Sequence, residues 1–156
     1  MLFAFALFFL LSVLQSTVVP FISIKGIEPQ LLVIFVVYYS LSLKDSHALW
    51  FGFLTGLLYD LLSGGVTGVS AFGLTLAAFI AIENKSKFQQ GEIFSYSFLY
   101  LIFIVSSIYA LVTNFLNGFT VNVLYAIFVF GVLSGVYTTL FATPMLFLIP
   151  GKKLNE

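Results

Sequence analysis

The sequence predicts an all-α integral membrane protein: a bundle of six transmembrane helices with both termini in the cytoplasm. Three observations predict it. The first is composition. Of 156 residues, 61% are hydrophobic and 8% charged, where a soluble domain carries about 25% charged residues to cover its water-facing surface. Mean hydropathy is +1.14. The second is that charges and Pro/Gly clusters cut the chain into pieces of spanning length. The third is that the lysines fall almost entirely on one side of those pieces.

A spanning helix needs about 20 mostly apolar residues. Helix 1 covers 2–19 and stops before Pro20; it lacks the basic start and small-x-small cleavage pattern of a secretory signal and is read as a retained helix. Helix 2 covers 29–43, with Pro29 at its first position, where a missing N–H costs nothing. Helix 3 covers 47–62 and ends at Ser63-Gly64-Gly65; helix 4 covers 67–82. Helix 5 covers 93–116, and helix 6 covers 122–149, with Pro144 as its expected bending point. Together they form a single polytopic domain, 1–156, with short loops and no internal repeat.

Orientation follows from the lysines, since cytoplasmic loops collect basic residues. With the N-terminus inside, Lys44, Lys85, Lys87, Lys152 and Lys153 are cytoplasmic and Lys25 alone is outside. The reverse topology inverts this 5:1 split.

Helix 3 is two-faced. At about 100° per residue, Gly52, Thr55, Gly56, Tyr59, Asp60 and Ser63 share one arc, while Trp50, Leu54, Leu57, Leu58 and Leu61 lie opposite. Helix 6 repeats the pattern, with Gly131, Ser134, Gly135, Thr138, Thr139 and Ala142 on one arc. Small residues let helix backbones approach closely in lipid, so each G-x-x-x-G is a contact face. Packing inside the bundle is the first reading for helix 3. For helix 6, packing and the docking of a partner or a second copy as a homodimer stand level.

Asp60 is the one acidic residue well inside a predicted span. An intramembrane carboxylate is expensive and raises a functional hypothesis. It lies about 20 Å along the helix from His47, past the midplane and near the outer interface. Its structural reading, placed first, is that it bonds the orphan N–H groups that open helix 4; its functional reading is a polar pocket or partner contact on the outer side. Gln15, Ser16 and Thr17 end helix 1, and Thr113, Asn114 and Asn117 end helix 5, on that same side. With Asp60 they would line a shallow cleft or sit among headgroups. Gln15, Gly52, Gly56, Tyr59, Asp60 and Asn114 are thus the candidates for pocket or partner contact; Gly131, Ser134, Gly135 and Thr138 are candidates for helix packing.

The composition excludes much chemistry. Net charge is zero, which leaves no basic footprint for nucleic acid. Without cysteine there are no disulfides, thiolate metal sites or cysteine nucleophiles. The sole histidine, His47, sits at a cytoplasmic helix start, away from any serine at membrane depth. Asp60 has no second membrane carboxylate with which to form a dyad. No cluster of metal ligands and no phosphate-binding Gly-rich loop occurs. The expectation is a non-enzymatic protein without cofactor or metal.

One set of motifs points further. Leu14-Gln15-Ser16-Thr17 and Pro20 close helix 1, and Pro29-Gln30-Leu31-Leu32 opens helix 2. There follow Gly52-Phe53-x-x-Gly56-Leu57-x-x-Asp60, a Gly64-Gly65 turn, and Gly68 before Ser70-Ala71-Phe72. This order resembles the MreD family of bacterial rod-shape-determining membrane proteins, over roughly residues 14–72. The chain departs from the family pattern at Gln30, where an aspartate is expected, and in having no arginine. The resemblance implies a scaffold in the bacterial inner membrane. It would bind MreC, a single-span protein, within the peptidoglycan-synthesising elongasome that includes MreB, RodA and PBP2. It also implies a fold similar to the substrate-binding S-components of ECF vitamin transporters, which is the alternative function. Against that alternative, the A-x-x-x-A of S-component helix 1 is absent: Ala4 is followed four residues later by Phe8.

Overall fold

The computed structural model describes residues 2–24, 26–88, 96–118 and 122–148. These are helical throughout, with no strand among them beyond one isolated bridge between Ile24 and Ile27. The helices are α1 (Leu2–Thr17), α2 (Leu31–Ser42), α3 (Asp45–Ser63), α4 (Val69–Asn84), α5 (Tyr96–Leu116), α6 (Val123–Ala126) and α7 (Ser134–Leu148). A π-helical stretch, Ile127–Leu133, joins α6 to α7, so 123–148 is one continuous rod. Six rods therefore stand where six are expected. Lys25, 89–95 and 149–156, with Lys152 and Lys153, lie outside the described residues, as do the expected first turn of helix 5 and last residue of helix 6.

The 12-residue α2 is the axis of the bundle, touching α1, α3, α4, α5 and α7. Its sequence explains this. LLVIFVVYYSLS has no polar stripe, and a helix apolar all round belongs inside. Leu32, Val33, Ile34, Phe35, Val36 and Val37 are all buried. At 1.5 Å per residue α2 is about 18 Å long, short of the roughly 30 Å of hydrocarbon. Encirclement by its neighbours relieves it of having to span alone. Aromatic rings tie its inner half to α1 and α3: Phe8 meets Phe35 at 5.6 Å and Phe51 at 5.0 Å, and Tyr39 stacks on Phe51 at 5.4 Å.

α3 and α4 form the most extensive helix pair, and glycine permits it. A Cβ on Gly52 would meet the Leu74 carbonyl oxygen at 2.7 Å, and one on Gly56 would overlap the backbone of Ser70 and Ala71. The facing side of α4 is equally spare, with Ala71, Ala78 and Ala81 buried. Where lipid is as apolar as leucine, close backbone packing is what holds two helices together. The rod 123–148 packs on α5 in the same manner. A Cβ on Gly131 would press on Leu111, and one on Gly135 on Ser107 and Phe103.

Two details differ from the sequence expectation. Helix 2 starts at Leu31 with Gln30 as its N-cap residue, so Pro29 lies before the helix instead of at its first position. The reason is local: the Gln15 side chain, described below, takes the Leu31 N–H from outside. In the last rod the departure from α geometry falls at Ile127–Leu133, upstream of Pro144, which sits inside α7.

Lys44, Asp45, Glu83 and Lys85 gather at one end of the bundle. Lys85 donates to the Leu43 carbonyl at the end of α2 (2.5 Å) and to Asp45 at the start of α3 (3.2 Å), clamping two connections together. The exterior is apolar: Trp50, Leu61, Tyr100, Phe115, Leu124 and Phe128 are each more than 60% exposed. Among the described residues, two helices, Tyr96–Leu116 and Leu124–Pro144, are long and apolar enough to cross a membrane.

Candidate functional site

The end opposite the Lys85–Asp45 clamp is polar, and it is organised by two side chains that cap neighbouring helices. The first four N–H groups of a helix have no partner within it. Asp60, buried near the end of α3, faces the start of α4 across the Gly64–Gly68 turn. Its carboxylate accepts the backbone N–H of Gly68 (2.7 Å), Ser70 (3.1 Å) and Ala71 (3.3 Å). The turn reaches this position because Gly64 and Gly68 adopt φ of +67° and +99°, a region open to glycine at little cost. A carboxylate at a helix N-terminus also complements the helix dipole.

Gln15 does the same for α2. Its Oε1 accepts the Leu31 N–H at 2.9 Å, and its Nε2 donates to the Pro29 carbonyl at 3.1 Å. Gln30 then ties this corner to α7: its backbone N–H donates to Thr138 Oγ1 (3.1 Å) and its Nε2 to Ser134 Oγ (3.0 Å). The Tyr137 hydroxyl donates to the Ile22 carbonyl at 2.7 Å and pins the turn that follows α1.

Between these corners lies a cavity of about 210 Å³. Gln15, Gln30 and Val33 form one wall, Tyr59 and Ser70 a second, and Tyr109, Thr113 and Asn114 of α5 a third. Phe130 of the π stretch and Ser134 close the side, and Glu28 stands in the connection before α2. Tyr109 fits because Gly73 leaves it room: a Cβ there would meet its ring at 2.8 Å. π-helical turns often mark functional sites, and this one supplies the cavity wall. Glu28 is half-buried, and desolvation pushes its carboxyl above the usual carboxylate range.

The structure thus sorts the sequence candidates. Gln15, Tyr59, Asn114 and Ser134 line the cavity. Asp60 does not line it; its carboxylate is spent on the start of α4. Gly52 and Gly56 face α4, and Gly131 and Gly135 face α5, so both glycine motifs serve contacts within the chain. Thr138 holds the Gln30 backbone. Sequence reading passed over Glu28, Ser70 and Tyr109. Tyr109 had a legible signal, since Tyr109, Thr113 and Asn117 repeat at four-residue spacing on one helix face. Among the described residues no group of His, Asp or Glu gathers as a metal site.

Among the described residues, a helical bundle with an apolar exterior and a polar cavity at one end suits a protein that sits in a membrane. The family model of the rod shape-determining protein MreD matches residues 1–150. The chain belongs to the MreD family, and so is a membrane protein with a role in determining rod shape. That family is one of shape-determining structural proteins, not of enzymes. No curated protein and no solved structure matches the chain.

Proposed function

We propose that this protein is a non-enzymatic scaffold of the bacterial inner membrane, a single domain crossing the bilayer six times with both termini in the cytoplasm. It holds MreC and, through it or directly, links MreB to the peptidoglycan synthases RodA and PBP2. The observation that carries this reading is the family match over residues 1–150. The 5:1 distribution of lysines supports the orientation, and with that orientation the polar cavity opens to the outer side. The glycine faces are used up inside the bundle. A partner's transmembrane helix therefore has the apolar outer faces to meet, where Trp50 of α3, Tyr100 of α5 and Phe128 and Leu140 of the last rod are exposed.

The test is depletion in a rod-shaped host, paired with co-purification in mild detergent. Cells that swell and round up, and recovery of MreC with the tagged protein, are the expected results. Rods that keep their shape but require an added vitamin would replace the scaffold with the transporter S-component.

A further inference from the structure

The polar cavity has an uneven hydrogen-bonding character. Several of its donors are consumed internally, while acceptors on three of its lining residues are left over. The α4 N–H groups at this end go to Asp60, and the first N–H of α2 goes to Gln15. Gln30 commits both its backbone N–H and its Nε2 to α7. Asn114 commits Nδ2 to the Ala110 carbonyl at 2.7 Å. Gln30, Asn114 and Glu28 keep acceptor oxygens around the space. Gln30 Oε1 is buried with no partner among the described residues. Asn114 Oδ1 and the Glu28 carboxylate likewise make no hydrogen bond or ion pair among the described residues. A buried acceptor left unpaired costs about 1–3 kcal/mol, so a native structure rarely keeps one such as Gln30 Oε1 beside an open space without something to fill it.

We propose that this cavity is a binding site for a cationic amine, an ammonium or guanidinium group that donates to Glu28, Gln30 Oε1 and Asn114 Oδ1. Only a donor-rich group satisfies such a set. The carboxylate selects a cation over a neutral alcohol or amide, because an ammonium or guanidinium adds Coulomb attraction to the charge-assisted hydrogen bond. An anionic ligand would face a carboxylate and two amide oxygens. Size narrows the class further. The volume of about 210 Å³ is below the roughly 300–1,000 Å³ of a drug-sized pocket, so a head group on an alkyl stem fits and a nucleotide does not. Ring faces suit it too: Tyr59, Tyr109 and Phe130 line the same space, and cations are attracted to aromatic faces. The amine comes either from a free small molecule or from the lysine or arginine of a protein partner. This inference stands whether or not MreC is the partner.

The experiment uses the full chain, purified in detergent, with thermal unfolding and equilibrium binding as readouts. The probes are 1,5-diaminopentane, the matched diol 1,5-pentanediol, and a short peptide with one lysine, free or acetylated at Nζ. The expected result is stabilisation and saturable binding by the diamine or the unmodified peptide and none by the diol or the acetylated peptide. Glu28→Gln is expected to weaken binding by about tenfold or more, and Asn114→Leu to weaken it less. Binding of the peptide without the diamine assigns the amine to a protein partner; binding of both assigns a free amine. Equal effects of diol and diamine, undiminished binding by both variants, or no binding of any probe overturns the proposal. So does binding seen only in Lys25→Ala, since the chain's own lysine would then be the occupant. Should Glu28→Gln fail to fold, Asn114→Leu and the diol comparison still decide.

Discussion

The Asp60 carboxylate on α3 accepts the Gly68 backbone N–H at 2.7 Å, and through this bond the end of one helix fixes the start of the next. Two further N–H groups, of Ser70 and Ala71, converge on the same carboxylate. Asp60→Leu would strand all of these donors in a buried place. Each unsatisfied donor costs about 1–3 kcal/mol, with some relief from water at this end. The expected loss is about 2–4 kcal/mol for Asp60→Leu and about half that for Asp60→Asn, which keeps one acceptor oxygen but loses the charge. Thermal unfolding in detergent checks the order. If Asp60→Leu matches wild type in stability, the cap contributes nothing and the residue's burial needs another cause.

Gly56 lies against the backbone of Ala71, and a methyl there has nowhere to go. Gly56→Ala is expected to cost about 1–3 kcal/mol by forcing α3 and α4 apart. Gly65 is the control. It has a negative or extended φ and only the Ser63 hydroxyl, at 3.5 Å, near its missing Cβ. Gly65→Ala should therefore stay within about 0.5 kcal/mol of wild type. The two variants, compared by unfolding temperature, separate close helix packing from a general intolerance of alanine in this segment.

How much of this was legible beforehand depends on the range of the interaction. The α3 face from Gly52 to Ser63 was readable because helical periodicity places those residues together without knowledge of any neighbour. That Asp60 could reach the start of α4 was also readable, because a short turn separates them. Which helix the glycines met was not; it depends on how the rods assemble. Nor was the cavity, whose walls come from α1, α2, α3, α4, α5 and the last rod. Gln30 shows the limit. In sequence it was only a departure from a family pattern, yet in the fold it bridges to Ser134 and Thr138, 104 and 108 residues away. The π stretch at Ile127–Leu133 had no signal either, since IFVFGVL reads as ordinary apolar helix.

At the other end, Lys85 serves two acceptors of unequal worth. Asp45 is 66% exposed and Lys85 21%, so their ion pair is screened and contributes under about 1 kcal/mol. The Leu43 carbonyl ends α2 and has no successor in its own helix. Asp45→Asn should change stability by only a few tenths of a kcal/mol. Lys85→Met should cost about 1–2 kcal/mol because it uncaps α2. Raising salt from low to about 0.5 M should erase the Asp45 effect and leave most of the Lys85 effect.

Glu28 gives the site a pH signature whose sign can be worked out. Burial raises its carboxyl above the ordinary value of 4.5, so the folded protein holds this proton more tightly than the unfolded chain. Its contribution to stability is then fully present below about pH 4.5 and is lost as pH rises through the folded value. The Tyr59 hydroxyl of α3 lines the same cavity, and a phenol carries no charge between about pH 4 and 7. Unfolding temperature recorded from about pH 4 to pH 7 should fall more steeply in wild type than in Glu28→Gln. The difference between the two curves isolates Glu28, since every other group is shared by both proteins. A saturating cationic amine should invert that difference. It binds the ionised carboxylate, so its stabilisation grows as pH rises through the same window. A wild-type curve parallel to Glu28→Gln without ligand would mean that Glu28 is already solvated or neutralised.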